Sequence, residues 1–174
     1  MAPTIYPRSE SGLVYSSGSD MFGPLGEIYA VTVHHSAGPR APTKARCQEL
    51  NRLYQREHIS KGWGDIGYHF CVDDLGRVYK LRPVQYKGTH VGDWNTGNVG
   101  IMFHGNYELD NLTVAQKETI EWFFKGGLNI LTGEPEAGFK LARGHKEWPG
   151  HFSNACPGDD LMRSWNFRRS VDFH

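Results

Sequence analysis

The chain of 174 residues reads as an α/β protein, a mixed β-sheet flanked by helices. Three observations predict it. Short apolar, β-branched runs recur along the chain, two long stretches carry a helical period, and two of the runs are joined by a tight turn. The apolar share is 39% against 22% charged residues, the balance of a folded domain rather than a disordered chain. A domain of this length buries roughly two-thirds of the surface its unfolded chain exposes.

Residues 1–25 are rich in Ser, Gly and Pro and show no period. They read as an irregular N-terminal arm, anchored by Ile5, Tyr6, Val14 and Phe22, with residues 26–174 as the domain proper. The run from Ile28 to His34 reads as the first strand, and the small residues from Ser36 to Gly38 as its end. Successive strand side chains point to opposite faces, so His34 and His35 cannot both enter one site. One is a candidate ligand, and the other packs or makes a hydrogen bond. Thr43 predicts the N-cap of a helix to about His58, with Cys47, Leu50 and Tyr54 at i, i+3 and i+7 on its buried face. Cys47 is accordingly a small buried hydrophobe.

Gly62, Gly64 and Gly67 bracket Trp63 and Asp65 and deliver the chain into a strand from near Gly67, which carries Tyr68 and His69. Cys71 shares a face with His69 and reads as an inert thiol. Asp73-Asp74-Leu75-Gly76 turns the chain into a return strand, Arg77 to Arg82. Residues Gly88 to Asn98 form a long polar loop with His90 and Trp94, a type that serves binding more often than packing. Val99 to His104 is the next strand. Thr113-x-x-Gln116 is a capping box opening an amphipathic helix that ends near Gly133. Phe139 to Arg143 is the last strand, with His145 just past it. Pro157 suits the first turn of a C-terminal helix carrying Leu161, Met162 and Trp165.

Nineteen basic and nineteen acidic residues cancel, which argues against a nucleic-acid partner. Arg163, Arg168 and Arg169 read as a solvated helix face. No stretch is long and apolar enough for membrane insertion, and the N-terminus lacks the apolar core of a signal peptide. Synthesis in the cytoplasm is therefore expected. Three cysteines, an odd number, do not make a disulfide framework. Nine histidines and five tryptophans suit a metal site beside a binding cleft.

Two histidines and a cysteine with a fourth position open make a catalytic zinc set. A histidine at the end of the first strand, His145 and Cys156 could supply one. His145 and Cys156 stand eleven residues apart, a spacing that no short-range rule covers, so the residues alone leave structural roles open. A cysteine hydrolase using Cys156 and a histidine is the competing chemistry.

The pattern as a whole resembles the zinc-dependent N-acetylmuramoyl-L-alanine amidases of the amidase-2 type, which include phage lysozymes of the amidase kind and the peptidoglycan recognition proteins. Tyr29 to Ala37, the Gly-Trp-x-Asp-Ile-Gly-Tyr-His-Phe run within Gly62 to Val72, Gly88 to Asn106 and Gly144 to Gly158 carry the likeness in the right order. Tyr6 to Glu10 is similar to the segment that opens the recognition-protein domain. The resemblance implies a central mixed sheet with helices on both sides and one Zn2+ per chain held by His34, His145 and Cys156. His34 is preferred to His35 because it directly follows the strand's Val-Thr-Val.

It further implies Tyr68 as the active-site tyrosine; ligand histidines also need acceptors that fix their tautomers, for which Glu147 is a candidate, and the general acid is Tyr68, a water or Glu147. Asn154 stands where some members have a catalytic lysine or threonine, and Met102 where certain cytosolic relatives have a glutamate. His35, Trp63, Arg82, His90, Trp94 and Asn98 are the substrate-binding candidates, and Gly62-Trp63 with Arg82 resembles a pattern for diaminopimelate-type stem peptides. His151 reads as a surface histidine. The expected protein is a monomeric, endolysin-like enzyme that acts on the bacterial cell wall after release. A non-catalytic peptidoglycan sensor and a cytosolic anhydro-muropeptide recycling amidase are the alternatives on the same fold.

Overall fold

The computed structural model describes residues 1–14, 23–134 and 138–172, so Phe22 of the arm lies outside them. Six strands, β1 (Ile5–Tyr6), β2 (Ala30–His35), β3 (Phe70–Val72), β4 (Val78–Lys80), β5 (Asn98–Phe103) and β6 (Leu141–Gly144), form one sheet in the order β1-β4-β3-β5-β2-β6. Only β3 and β4, the hairpin, run antiparallel; the other neighbours are parallel. All six residues of β2 are buried, as a parallel strand covered on both faces requires.

Alternation along the strands sorts the core into two layers. Phe70, Val72, Val78, Ile101 and Phe103 face one side, where α2 (Val114–Trp122) and α4 (Asp159–Asp172) cover them through Ile120, Leu161 and Trp165. Cys71, Tyr79 and Met102 face the other side, under Cys47 and Leu50 of α1 (Lys44–Ser60). The sheet is thus mixed and flanked by helices on both faces. Thr43 caps α1 by accepting from the Arg46 N–H, and the Thr113–Gln116 capping box closes in both directions.

Five details differ from what the sequence predicts. The described part of the arm is not irregular throughout, since Ile5 and Tyr6 pair with Val78 and Tyr79 as an edge strand. The strand expected from Gly67 starts at Phe70, because the Gly67 N–H goes to His58 Nδ1 and its carbonyl to the Thr89 N–H. The helix from Thr113 breaks at Lys125 and Gly126, where Gly126 takes φ 96°, and resumes as α3 (Leu128–Thr132), which Gly133 ends at φ 76°. Pro157 precedes α4 rather than opening it. The C-terminal arginines are not simply solvated: Arg168 pairs with Glu121 and Arg169 with Glu147.

Candidate metal centre and the groove around it

Strand register assembles the centre. β2 runs parallel to β6 with Val33 opposite Gly144, so the next residues, His34 and His145, emerge side by side at the carboxyl ends of the strands. That edge is where open α/β sheets bind their ligands. Their rings lie 4.7 Å apart between centroids. The loop ahead of α4 brings in Cys156, whose Sγ is 3.6 Å from His34 Nδ1. Asn154 holds that loop by accepting from the Cys156 N–H at 2.8 Å. One ligand atom from each of His34, His145 and Cys156 falls within 4.8 Å of the others.

A buried relay decides which nitrogen of His34 is free. His90 Nε2 faces the Asn98 carbonyl at 3.0 Å, an acceptor, so that nitrogen carries the His90 proton. Neutral His90 then accepts at Nδ1 from His34 Nε2–H, at 3.0 Å. The remaining lone pair of His34 is Nδ1, directed at the Cys156 side. Asn98 is itself fixed, because Oδ1 accepts from Thr32 Oγ1 and Nδ2 donates to the Trp94 carbonyl. Trp148 Nε1–H completes the row by donating to Thr32 Oγ1. At the second ligand, His145 Nε2 meets His151 Nδ1 at 3.1 Å, and a proton on Nε2 leaves His145 Nδ1 free in the same way.

Burial, reinforced by His90, holds His34 neutral far below the ordinary histidine range. His145 is pushed down to about 4, by burial first and then by His151. Burial pushes the Cys156 thiol up to about 12. The centre therefore offers two imidazole lone pairs and a thiol whose proton a bound cation would displace. Two nitrogens and a sulfur suit zinc with one position left for water. Burial, then the neighbouring Cys156, raises Tyr68 above its ordinary range, so its hydroxyl stays a donor beside His34, with rings 5.1 Å apart.

A groove of about 580 Å³ opens over the centre, lined by Trp63, Tyr68, His90, His145, His151 and Asn154 among others. His90 reaches it, yet its ring nitrogens serve His34. Trp63 lines it too, whereas Arg82, His35, Trp94 and Asn98 are placed elsewhere. Arg82 is buried, and its guanidinium donates to the carbonyls of Ile66, Lys87, Trp63 and Asp65, so it staples loops instead of meeting a substrate carboxylate. His35 points to the opposite face from His34 and accepts from the Tyr107 N–H. Trp94 stacks on Trp148, and Asn98 lies wholly within the relay.

Glu147 does not reach either ligand ring. It accepts from the Gly144 N–H and pairs with Arg169, which fixes the turn that launches His145. Several groove residues carry no sequence signal of their own. His151, taken for a surface residue, partners a ligand histidine, while Tyr54 and His58 line the wall from α1 with Lys61 beyond them. Positions 54, 58 and 61 follow i, i+4, i+7, so the period was the signal that could have found them.

The family model described as N-acetylmuramoyl-L-alanine amidase matches residues 24–159. Peptidoglycan-recognition protein SC2 of Drosophila simulans is 35% identical over 142 residues, covering 79% of this chain and 73% of that protein. The fold is similar to human PGRP-IBETAC, solved in complex with glycosamyl muramyl pentapeptide, at TM-score 0.78 and 22% identity over 99% of this chain and 98% of that one. It is similar too to the endolysin amidase LysCS from Clostridium intestinale URNW, at TM-score 0.72 and 20% identity, covering 98% of each chain.

Proposed function

The chain belongs to the N-acetylmuramoyl-L-alanine amidase family, and on that premise we propose that it hydrolyses the amide between N-acetylmuramic acid and L-alanine in bacterial peptidoglycan, with one zinc ion held by His34, His145 and Cys156. The observation that carries this reading is the convergence of those three ligand atoms beside the groove that His145 lines. When bound, the zinc ion supplies a Lewis acid for the scissile carbonyl and a water that ionises near neutral pH.

The chain's own groups do the rest. His90 and His151 fix the ligand rings in the tautomers that present Nδ1. The Tyr68 hydroxyl, kept protonated by burial, donates to the oxygen on which charge develops, a contribution of ~3 kcal/mol for a well-placed donor. Trp63 gives the groove an aromatic wall, held against His58 at 4.6 Å between ring centroids. Asn154 positions Cys156 and cannot supply the charge of a lysine. We place the activity in an endolysin-like, monomeric protein acting on the cell wall after release.

A second reading, a sensor that binds peptidoglycan without cutting it, is supported by the likeness to recognition proteins and by Asn154 at the lysine or threonine position. Purified peptidoglycan distinguishes the two. The amidase releases stem peptides with a new amino terminus on L-alanine, stops with a chelator and recovers with added Zn2+. A protein that sediments with the wall and releases no peptide is the sensor. Continued cleavage under chelation that a thiol alkylator abolishes would mark a cysteine hydrolase.

A further inference from the structure

Beneath α1, away from the groove centre, lies a second constellation of soft ligands. Cys47 on α1, Cys71 on β3 and His104 just after β5 are all fully buried, and one ligand atom from each lies within 4.8 Å of the others. The two sulfurs are 3.9 Å apart. Asn51, also fully buried, organises them. Its Nδ2 donates to the Ser11 carbonyl at 2.9 Å and to Cys47 Sγ at 3.6 Å. Its Oδ1 accepts from the Cys71 thiol at 3.2 Å and from His104 Nε2–H at 2.9 Å. His104 Nδ1 is then a buried lone pair with no hydrogen-bond partner.

An unpaired buried nitrogen costs ~1–3 kcal/mol, and here it belongs to a histidine clustered with two buried thiols that an apolar core does not require. Packing alone leaves that arrangement unexplained. We propose that Cys47, Cys71 and His104 form a second, sealed metal site for one thiophilic d10 cation, with Cu+ the ion whose coordination it matches. Soft thiolates select Cu+ and Zn2+, but zinc in closed sites takes four ligands. This site offers three, all fully buried, and three-coordinate binding by two sulfurs and one nitrogen is a habit of Cu+. His104 Nε2–H on Asn51 Oδ1 is the outer contact that a metal-bound imidazole uses to fix its tautomer. Binding displaces the thiol protons to solvent, and burial means that the ion enters as the chain folds or opens.

The test uses the full chain carrying Cys156→Ser, which removes the groove thiol so that copper is scored at the core alone. The protein is produced in copper-supplemented cells and purified without oxygen, and its metal content and copper X-ray absorption are measured. One Cu+ per chain with two sulfurs and one nitrogen in its shell is expected. Adding Cys47→Ala or Cys71→Ala should abolish the copper while circular dichroism stays unchanged. Absence of copper, a shell without two sulfurs, or equal copper in the alanine variants would overturn the site. So would a Cys47–Cys71 disulfide in the isolated protein. Should the alanine variants fail to fold, the sulfur count in the Cys156→Ser protein decides the matter by itself.

Discussion

His90 shows how a single side chain changes meaning once its neighbours are known. In sequence it belongs to a polar loop and invites a substrate role; in space its ring is clamped between the Asn98 carbonyl and His34 Nε2. Its effect should therefore appear in metal affinity. His90→Phe removes the acceptor and is expected to weaken zinc binding by about 10–100-fold in chelator competition, whereas unchanged affinity would return His90 to the substrate. Tyr68→Phe should act differently. It keeps the ring beside His34 but deletes the donor, lowering kcat by ~10²–10³ with KM nearly unchanged. A rise in KM at constant kcat would make Tyr68 a binding residue only. The three proposed ligands were legible because they sit at element ends in family order. Arg82, Asn98 and His35 were not, because sequence order gives a side chain's place but not the buried carbonyls or amides that claim it.

At the scale of elements, the strands and the caps of α1 and α2 could be read from alternation, β-branching and capping residues. The break between α2 and α3 could not. Apolar periodicity continues through Phe123, Phe124 and Leu128, and nothing but the Gly126-Gly127 pair marks the departure from helical backbone at Lys125 and Gly126. A Cβ at Gly126 would meet no atom within 4 Å, so substitution there tests the backbone alone. Gly126→Ala should cost ~1–2 kcal/mol through its φ of 96°. A urea titration with no loss would mean that the segment relaxes into a continuous helix. The β6 turn is held differently, by a carboxylate bridging the Gly144 N–H and the Arg169 guanidinium. Glu147 looked chemical in sequence because it lies two residues from a ligand; its partner, Arg169, stands 22 residues away and no local pattern announces it.

Across the whole molecule, buried neutral histidines couple stability to acidity. Burial pushes His69 down to about 4, where its Nδ1 accepts from the Gly100 N–H. His58 is likewise lowered to about 4 by burial. The unfolded chain binds these protons near the ordinary value of 6.5 while the folded chain refuses them until about 4. Stability is therefore complete above pH ~6.5 and is lost as pH falls toward 4, by ~2 kcal/mol at pH 5 for His69 alone. Urea titrations of the metal-free chain at pH 7 and pH 5 should show that loss, and His69→Gln should reduce it. A pH-independent midpoint would contradict the assignment.

The central claim is that His34, His145 and Cys156 act together on one zinc ion to cut peptidoglycan. The most direct measurement pairs zinc content with the release of peptides bearing a free L-alanine amino terminus, for the native chain and for Cys156→Ser. The account predicts one zinc and steady peptide release in the native chain, with both lost in the variant and both lost on chelation. Peptide release that persists at full rate in zinc-free protein, or in Cys156→Ser, would contradict it.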